Sequence, residues 1–181
     1  MLVAKQKRKE NIIEYLLYMY QIEDTIRAVD MNFDVLNEKV ISRYNVQDRE
    51  KEELNKWYRQ LMLQMKDDGV EKSGHMIFLQ QLANEVNDLH LWLLKQEDLK
   101  VYKNEYEKAK PLLLEFQQKI KTSYQTEIDI ALNALYYYVL MKMKSHQVHS
   151  ETKSATGLIS GFLKNLAHYF RQYEEGNIRI S

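Results

Sequence analysis

The sequence predicts an all-α protein: a single-domain bundle of six long helices and one short helix. Glycine and proline are few, with five Gly and one Pro in 181 residues, whereas sheets and long loops need more frequent breaks. Apolar side chains recur at helical spacing along most of the chain. The stretches between these periodic segments are short, so neighbouring helices are expected to be mostly antiparallel.

The first half of the chain contains three long helical segments and the short one. The first segment is apolar around most of its circumference, and the short segment places Leu36, Val40 and Tyr44 on one face. The third carries an apolar stripe through Trp57 and is followed by Gly69, a residue type that often ends helices. The fourth is apolar along one face. In order, the predicted bounds are residues 4–28, 34–44, 49–68 and 75–96.

Three further long helices are predicted in the second half. The fifth segment contains the single proline, Pro111, on its polar side, which predicts one helix kinked at that residue. The sixth is apolar nearly all round, which predicts a central position. The seventh begins at Ser150, a good N-cap, and ends before Gly176. The predicted bounds are residues 99–121, 126–145 and 150–175, and residues 177–181 are expected to form a loose tail of the single domain 1–181.

Composition excludes some classes of function. The chain has no Cys, which excludes disulfides, thiolate metal sites and cysteine nucleophiles. Lys plus Arg and Asp plus Glu both number 26, so the chain lacks the net basic charge of a general nucleic-acid binder. The apolar run at residues 12–22 is shorter than the roughly 20 residues that cross a bilayer. We therefore expect a cytoplasmic protein with neither membrane nor nucleic acid as partner.

Two charged residues, Glu23 and Arg27, fall within the apolar sector of the first predicted helix. They are four residues apart, so their side chains lie on adjacent turns and can touch. Burying a charge is costly unless it is paired and hydrogen-bonded. The pair is interpreted either as a structural ion pair or as a ligand-binding point in a pocket of the bundle.

Two other ionisable residues are candidates for a site. Glu127 shares a face with Tyr138, although a carboxylate in the first turn of a helix is also favoured by the helix dipole. His90 lies on the apolar face of the fourth helix, where a lone histidine is usually a core residue. Carboxylate bundles that bind two metals use Glu-x-x-His motifs, and none occurs in this chain. No metal and no cofactor are predicted.

Tyrosine is unusually common, with 13 residues against 5 Phe. A buried phenol needs a partner for its hydroxyl. We therefore expect some of these hydroxyls to bond Glu23, Arg27 or Glu127 and to join them in one buried polar network. The tyrosines on the two most apolar helices are Tyr15, Tyr18, Tyr20, Tyr136, Tyr137 and Tyr138.

Several residues indicate an interaction surface. Leu63, Trp92 and Leu114 fall on otherwise polar helix faces, where either a further helix of the chain or a partner is expected to cover them. Gly157 and Gly161 form a G-x-x-x-G motif on the polar side of the last helix and could mark the close approach of another helix, including one from a second copy. The basic run at residues 5–9 could contact phosphates, but such runs are more often solvated helix starts.

Four stretches together carry a family resemblance: AKQKRKENIIEYLLYMYQIEDTIRA, GVEKSGHM, DLHLWLL and ALNALYYYVLMKM. Over nearly its whole length the chain resembles an uncharacterised all-helical domain-of-unknown-function family of Bacteroidetes bacteria. The resemblance implies a small cytoplasmic helical protein and brings no activity or cofactor. It suggests that Glu14, Glu23, Asp24, Arg27 and His90 belong to the pattern of the family.

The sequence leaves two main interpretations of function and a weaker third one, which is nucleic-acid contact through Lys5, Lys7, Arg8 and Lys9. The leading one is a non-enzymatic helical protein that acts by associating with a protein partner or with itself, since no catalytic constellation is recognised. The alternative is a small-ligand-binding or enzymatic bundle in which the Glu/Arg/Tyr network lines a cavity.

Overall fold

The computed structural model describes residues 2–120, 126–144 and 149–180. Over these residues the chain forms helices and no β-strand, so the predicted all-α class is confirmed. The predicted helix ends at residues 121 and 145 lie outside the described residues. The described part contains α1 (Leu2–Glu10), α2 (Ile12–Arg27), α3 (Phe33–Lys39), α4 (Asp48–Asp67), α5 (Ile77–Lys95), α6 (Lys100–Ile120), α7 (Glu127–Met143) and α8 (Ser150–Glu174), with a 3-10 turn at Ile41–Arg43 after α3.

The first predicted helix is in fact two helices, α1 and α2, divided at Asn11. The backbone of Asn11 is extended, with φ −156°. Its side-chain Oδ1 accepts hydrogen bonds from the backbone N–H groups of Ile13 at 3.0 Å and Glu14 at 3.1 Å. These groups have no partner within the first turn of a helix, so the asparagine begins α2 as an N-cap. An asparagine directly before an apolar run was the signal for this break.

Side-chain caps also fix other helix starts. Asn32 caps α3 by accepting from Asp34 and Val35, and Thr126 with Asp129 forms a reciprocal capping box at the start of α7. The short predicted helix ends earlier than expected, at Lys39, and continues as the 3-10 turn.

α6 continues through Pro111 as one helix, as the phase of its apolar residues predicted. The proline side is exposed, so the amide that cannot donate lies towards solvent. α7 packs against α2, α5, α6 and α8, which agrees with its predicted central position. Within the predicted tail, Ile178 packs against the core.

α6 and α7 run parallel, in contrast to the expectation of mostly antiparallel neighbours. The hydroxyl of Tyr106 bonds the carboxylate of Glu127 at 2.6 Å, and ten residues further along both helices the rings of Phe116 and Tyr137 lie 5.8 Å apart. Between these two contacts the residue number rises by ten on both helices, so the two helices run in the same direction. The length of a connection therefore did not determine the direction of the next helix.

α6 and α8 are antiparallel. The ring centroids of Tyr102 and Tyr169 lie 5.6 Å apart, and Asn165 donates to Glu105 at 2.9 Å. The residue number thus rises along α6 as it falls along α8. These contacts bring the carboxy-terminal half of α6, the carboxy-terminal half of α7 and the amino-terminal half of α8 to one side of the molecule.

Replacing Asn11 by alanine should lower the free energy of unfolding by about 1 kcal/mol, because two N–H groups at the start of α2 lose their acceptor. Denaturant unfolding followed by circular dichroism measures this change. Asn45→Ala, at an exposed loop position, is the matched control and should leave stability unchanged. An equal effect of the two substitutions would contradict the capping role.

Candidate functional site

The polar residues predicted to form one network are divided between two clusters. The Glu23 cluster joins α2, the α4–α5 connection and α7, and the His90 cluster lies between α5, α6 and the start of α7. The Glu23 cluster contains Tyr20, Glu23, Asp24, Arg27, His75 and Tyr136. The His90 cluster contains His90, Tyr102, Tyr106 and Glu127.

Glu23 is fully buried, as its helical phase predicted. Its Oε1 accepts a hydrogen bond from the backbone N–H of Met76 at 2.7 Å, and its Oε2 lies 2.6 Å from Nδ1 of His75. Hydrogen bonds to a charged group are stronger than neutral ones, and both carboxylate oxygens have a donor. The burial of Glu23 is therefore compensated by the α4–α5 connection and not by its own helix.

His75 is the residue of this cluster that the sequence did not indicate, because it stands at the start of the predicted helix 75–96 and outside its apolar face. Its ring stacks on that of Tyr20, with centroids 3.5 Å apart and planes inclined by 15°. The imidazole side chain is 25% exposed, while the carboxylate that it contacts is sealed. A separation of 52 residues between His75 and Glu23 left no local pattern that could have revealed the pair.

Arg27 does not form the expected ion pair with Glu23. Its Nη1 donates to Oδ1 of Asp24 at 2.9 Å, and its Nη2 donates to the carbonyl of Val70 at 3.0 Å and to that of Gly74. The hydroxyl of Tyr136 on α7 donates to Oδ2 of Asp24 at 2.6 Å. Together these contacts hold the α4–α5 connection against α2 and α7, which is a structural role.

The His90 cluster is built around a fully buried imidazole. Nδ1 of His90 lies 2.6 Å from the hydroxyl of Tyr102, and Nε2 lies 3.4 Å from Oε2 of Glu127. Burial lowers the pKa of His90, and the nearby Glu127 offsets part of this shift. In the neutral ring that burial favours, Tyr102 donates to Nδ1 and the Nε2–H group points towards Glu127.

Glu127 connects this interior to the surface. Its side chain is 37% exposed, and its Oε2 accepts the hydroxyl proton of Tyr106 at 2.6 Å. Burial raises the pKa of Tyr102 and of Tyr106, so both phenols are neutral donors at pH 7. The hydrogen bonds from Tyr102 through His90 to Glu127 have the donor order of a proton relay. The rings of Tyr106 and Phe162 also pack against the imidazole of His90, with ring centroids 4.8 and 5.3 Å away.

Tyr138 does not meet Glu127, contrary to the expectation from helical phase. It lies near the other end of α7, where Lys142 approaches its ring at 5.3 Å. There it lines a groove of about 430 Å³, here called the α6–α8 groove. This groove is lined by Leu112, Glu115, Phe116, Lys119, Ile120, Ala134, Tyr137, Tyr138, Met141, Glu151, Thr152, Ala155, Thr156 and Ile159.

The predicted surface residues have mixed outcomes. Leu63 and Leu114 are exposed, whereas Trp92 is half-buried against the core, so the chain itself covers part of this side chain. Gly157 and Gly161 are exposed in α8, and no atom lies within 4 Å of the position that a Cβ would occupy at either residue. Packing within the chain therefore does not require glycine at these two positions.

No three His, Asp or Glu side chains among the described residues are grouped so as to hold a metal ion. Within the same part of the chain, none of the helices combines the length and the apolar character needed to cross a membrane.

These helices and their two satisfied polar clusters define a small all-α domain. The chain belongs to the family described as Domain of unknown function (DUF4924), which matches residues 1–177. The resemblance to a family of unknown function is thereby confirmed, while its bacterial origin stays a prediction. No curated protein and no solved structure matches the chain.

Replacing Glu23 by glutamine should lower the free energy of unfolding by about 2 kcal/mol, because a buried charge-assisted hydrogen bond is lost. Glutamine still accepts the N–H of Met76 but places an amide opposite His75. Urea unfolding measures the change. Glu14→Gln removes an exposed carboxylate of the same helix, and its effect should stay below about 0.5 kcal/mol. An equal loss of stability in the two variants would mean that the buried carboxylate of Glu23 contributes nothing to stability.

The lowered pKa of His90 makes stability depend on pH. The unfolded chain binds a proton on this histidine at a higher pH than the folded protein does, so stability is lost as pH falls below about 6.5. His90→Asn, which keeps an acceptor for Tyr102, should remove that part of the slope between about pH 7 and 5. Chemical unfolding across this range measures it. Parallel plots of stability against pH for the wild type and His90→Asn would contradict this assignment. His168→Asn, at an exposed position, is the control.

Proposed function

We propose that the protein is non-enzymatic and acts in the cytoplasm by associating with a second copy of itself through the α6–α8 groove. The observation that carries the proposal is Tyr137. This residue is 46% exposed although it lines a concavity that also contains Leu112, Phe116 and Ile159. Tyrosine is enriched among the residues that anchor protein interfaces.

A concave apolar surface is complemented by a convex apolar group. Leu112, Phe116 and Ile159 supply apolar walls from α6 and α8, and the partly exposed Tyr137 packs its ring beside that of Phe116 at 5.8 Å. About a two-fold axis, the same patch on both copies is used, so each Tyr137 enters the groove of the other copy. The neighbouring Leu158, which is 43% exposed on α8, extends the apolar surface.

The charges around the groove favour a second copy over a partner of strong single charge. Glu115 and Lys119 pair at 2.6 Å, Glu151 lines the same groove, and Lys142 lies beside Tyr138. This set contains two carboxylates and two ammonium groups. A patch of both signs can pair with itself without net repulsion, and the formal net charge of the chain is zero.

The alternative, a ligand-binding or enzymatic site in the buried polar network, has less support. Glu23 and His90 are fully buried, and their hydrogen bonds are made within the chain. The α6–α8 groove is lined by Tyr138 from the ligand-binding candidates, but not by Tyr20, Glu23, Arg27, His90 or Glu127.

Sedimentation equilibrium tests the association. At about 100 µM the wild-type protein should have twice the monomer mass of 21.8 kDa. Tyr137→Glu places a charge in the proposed interface and should give a monomer that keeps its helical circular dichroism, because this ring is half exposed already. Leu63→Glu, at an exposed apolar position on α4, should leave the dimer intact.

Two results would overturn this proposal. A wild-type protein that stays monomeric at this concentration would remove self-association. A dimer that is lost in Leu63→Glu but kept in Tyr137→Glu would place the interface elsewhere.

A further inference from the structure

A second and larger groove lies where α1 and the end of α8 meet α2 and α4. It has a volume of about 700 Å³ and differs from the α6–α8 groove in its chemistry, because most of its lining residues are charged. We call it the α1–α8 groove. Its lining residues are Ala4, Lys5, Arg8, Lys9, Glu10, Tyr15, Trp57, Arg171, Glu174 and Glu175.

Both arginines of this groove are already paired. Arg8 forms two hydrogen bonds with the carboxylate of Glu174, one of them at 2.9 Å, which ties α1 to the end of α8. Arg171 pairs with Glu175 at 2.8 Å. These pairs account for four of the seven charged groups and leave Lys5, Lys9 and Glu10, of which Glu10 accepts a hydrogen bond from Gln6 at 3.0 Å.

Lys5 and Lys9 form no ion pair with any carboxylate in the part of the chain that the structure describes. They are four residues apart on α1, so their ammonium groups lie on adjacent turns at the edge of the groove. Like charges at this spacing destabilise a helix, and an anion placed between them would relieve the repulsion. Lys7, which lies between these two lysines on the same helix, has a partner, since it pairs with Glu14 at 2.9 Å.

Aromatic groups line the same groove. Trp57 of α4 and Tyr15 of α2 both contribute, and Trp57 is half-buried with its other contacts in the core. An indole offers a flat surface on which a planar ring can stack. The groove thus combines two unpaired ammonium groups with an aromatic wall.

We infer that the α1–α8 groove binds a phosphorylated aromatic compound of the mononucleotide class. The phosphate would lie between Lys5 and Lys9, and the base against Trp57. Two lysines match the charge of one phosphate monoester. Glu10, Glu174 and Glu175 also line the groove and disfavour a longer polyanion, so a nucleic acid strand fits less well.

Tryptophan fluorescence of the full chain, titrated with AMP, tests this inference. AMP should quench the emission of Trp57 saturably, with a dissociation constant of about 0.1–1 mM. Trp92, the second tryptophan of the chain, gives a constant background. Lys5→Gln with Lys9→Gln should weaken binding about tenfold, which is about 1.4 kcal/mol. Calorimetry should show weaker binding for Trp57→Phe as well.

Lys7→Gln is the matched control for the lysine substitutions, because it removes the same charge from the same helix at a residue outside the groove. Its affinity for AMP should equal that of the wild type. The Tyr137→Glu variant should also bind AMP normally, since it alters the other groove. A failure of self-association and a failure of nucleotide binding are therefore distinguishable.

Four results would overturn the inference. The first is the absence of saturable quenching up to about 5 mM AMP. The second is inorganic phosphate that binds as tightly as AMP, which would mean that Trp57 does not bind the base. The third is adenosine that binds as tightly as AMP, which would mean that the lysines do not bind the phosphate. The fourth is a single-stranded oligonucleotide that binds more tightly than AMP with a steep dependence on salt, which would indicate a nucleic-acid surface instead.

Discussion

A carboxylate placed in a protein interior must receive hydrogen bonds there, and the arrangement around Glu23 follows from this requirement. Its donors come from the α4–α5 connection, so that segment has to lie against α2 before the charge is compensated. Arg27 then holds the carbonyl groups of Val70 and Gly74 in the same segment. The irregular connection is thereby held against α2, and the start of α5 is positioned along with it.

The class of fold could be predicted because it depends on local and repetitive signals. The apolar stripe of α4, the uninterrupted phase of α6 across Pro111 and the apolar circumference of α7 all indicated their helices directly. The break at Asn11 has a local signal as well, an asparagine that caps the following apolar run. The parallel course of α6 and α7 has none, because the direction of a helix relative to its neighbour depends on packing between residues distant in sequence.

The candidate site was predicted residue by residue but not as an assembly. Helical phase placed Glu23 and His90 inside, since phase is a property of one helix at a time. It paired Glu23 with Arg27 because those two residues are close in sequence, whereas the actual partner, His75, lies in an irregular connection without phase. Glu127 and Tyr138 were assigned to one face, but eleven residues along α7 separate them by about 16 Å, which divides them between different neighbours.

Tyr136, Tyr137 and Tyr138 follow one another on α7, and each step along a helix turns the side chain by about 100°. Tyr136, which is buried, therefore reaches the partly exposed Asp24 of α2, while the next two phenols face the α6–α8 groove. One rigid turn of helix thus carries an internal hydrogen bond on one side and an outer surface on the other. A rotation of α7 would therefore disturb the bond of Tyr136 to Asp24 and its ring contact with Tyr20 on α2 at the same time as the surface of the groove.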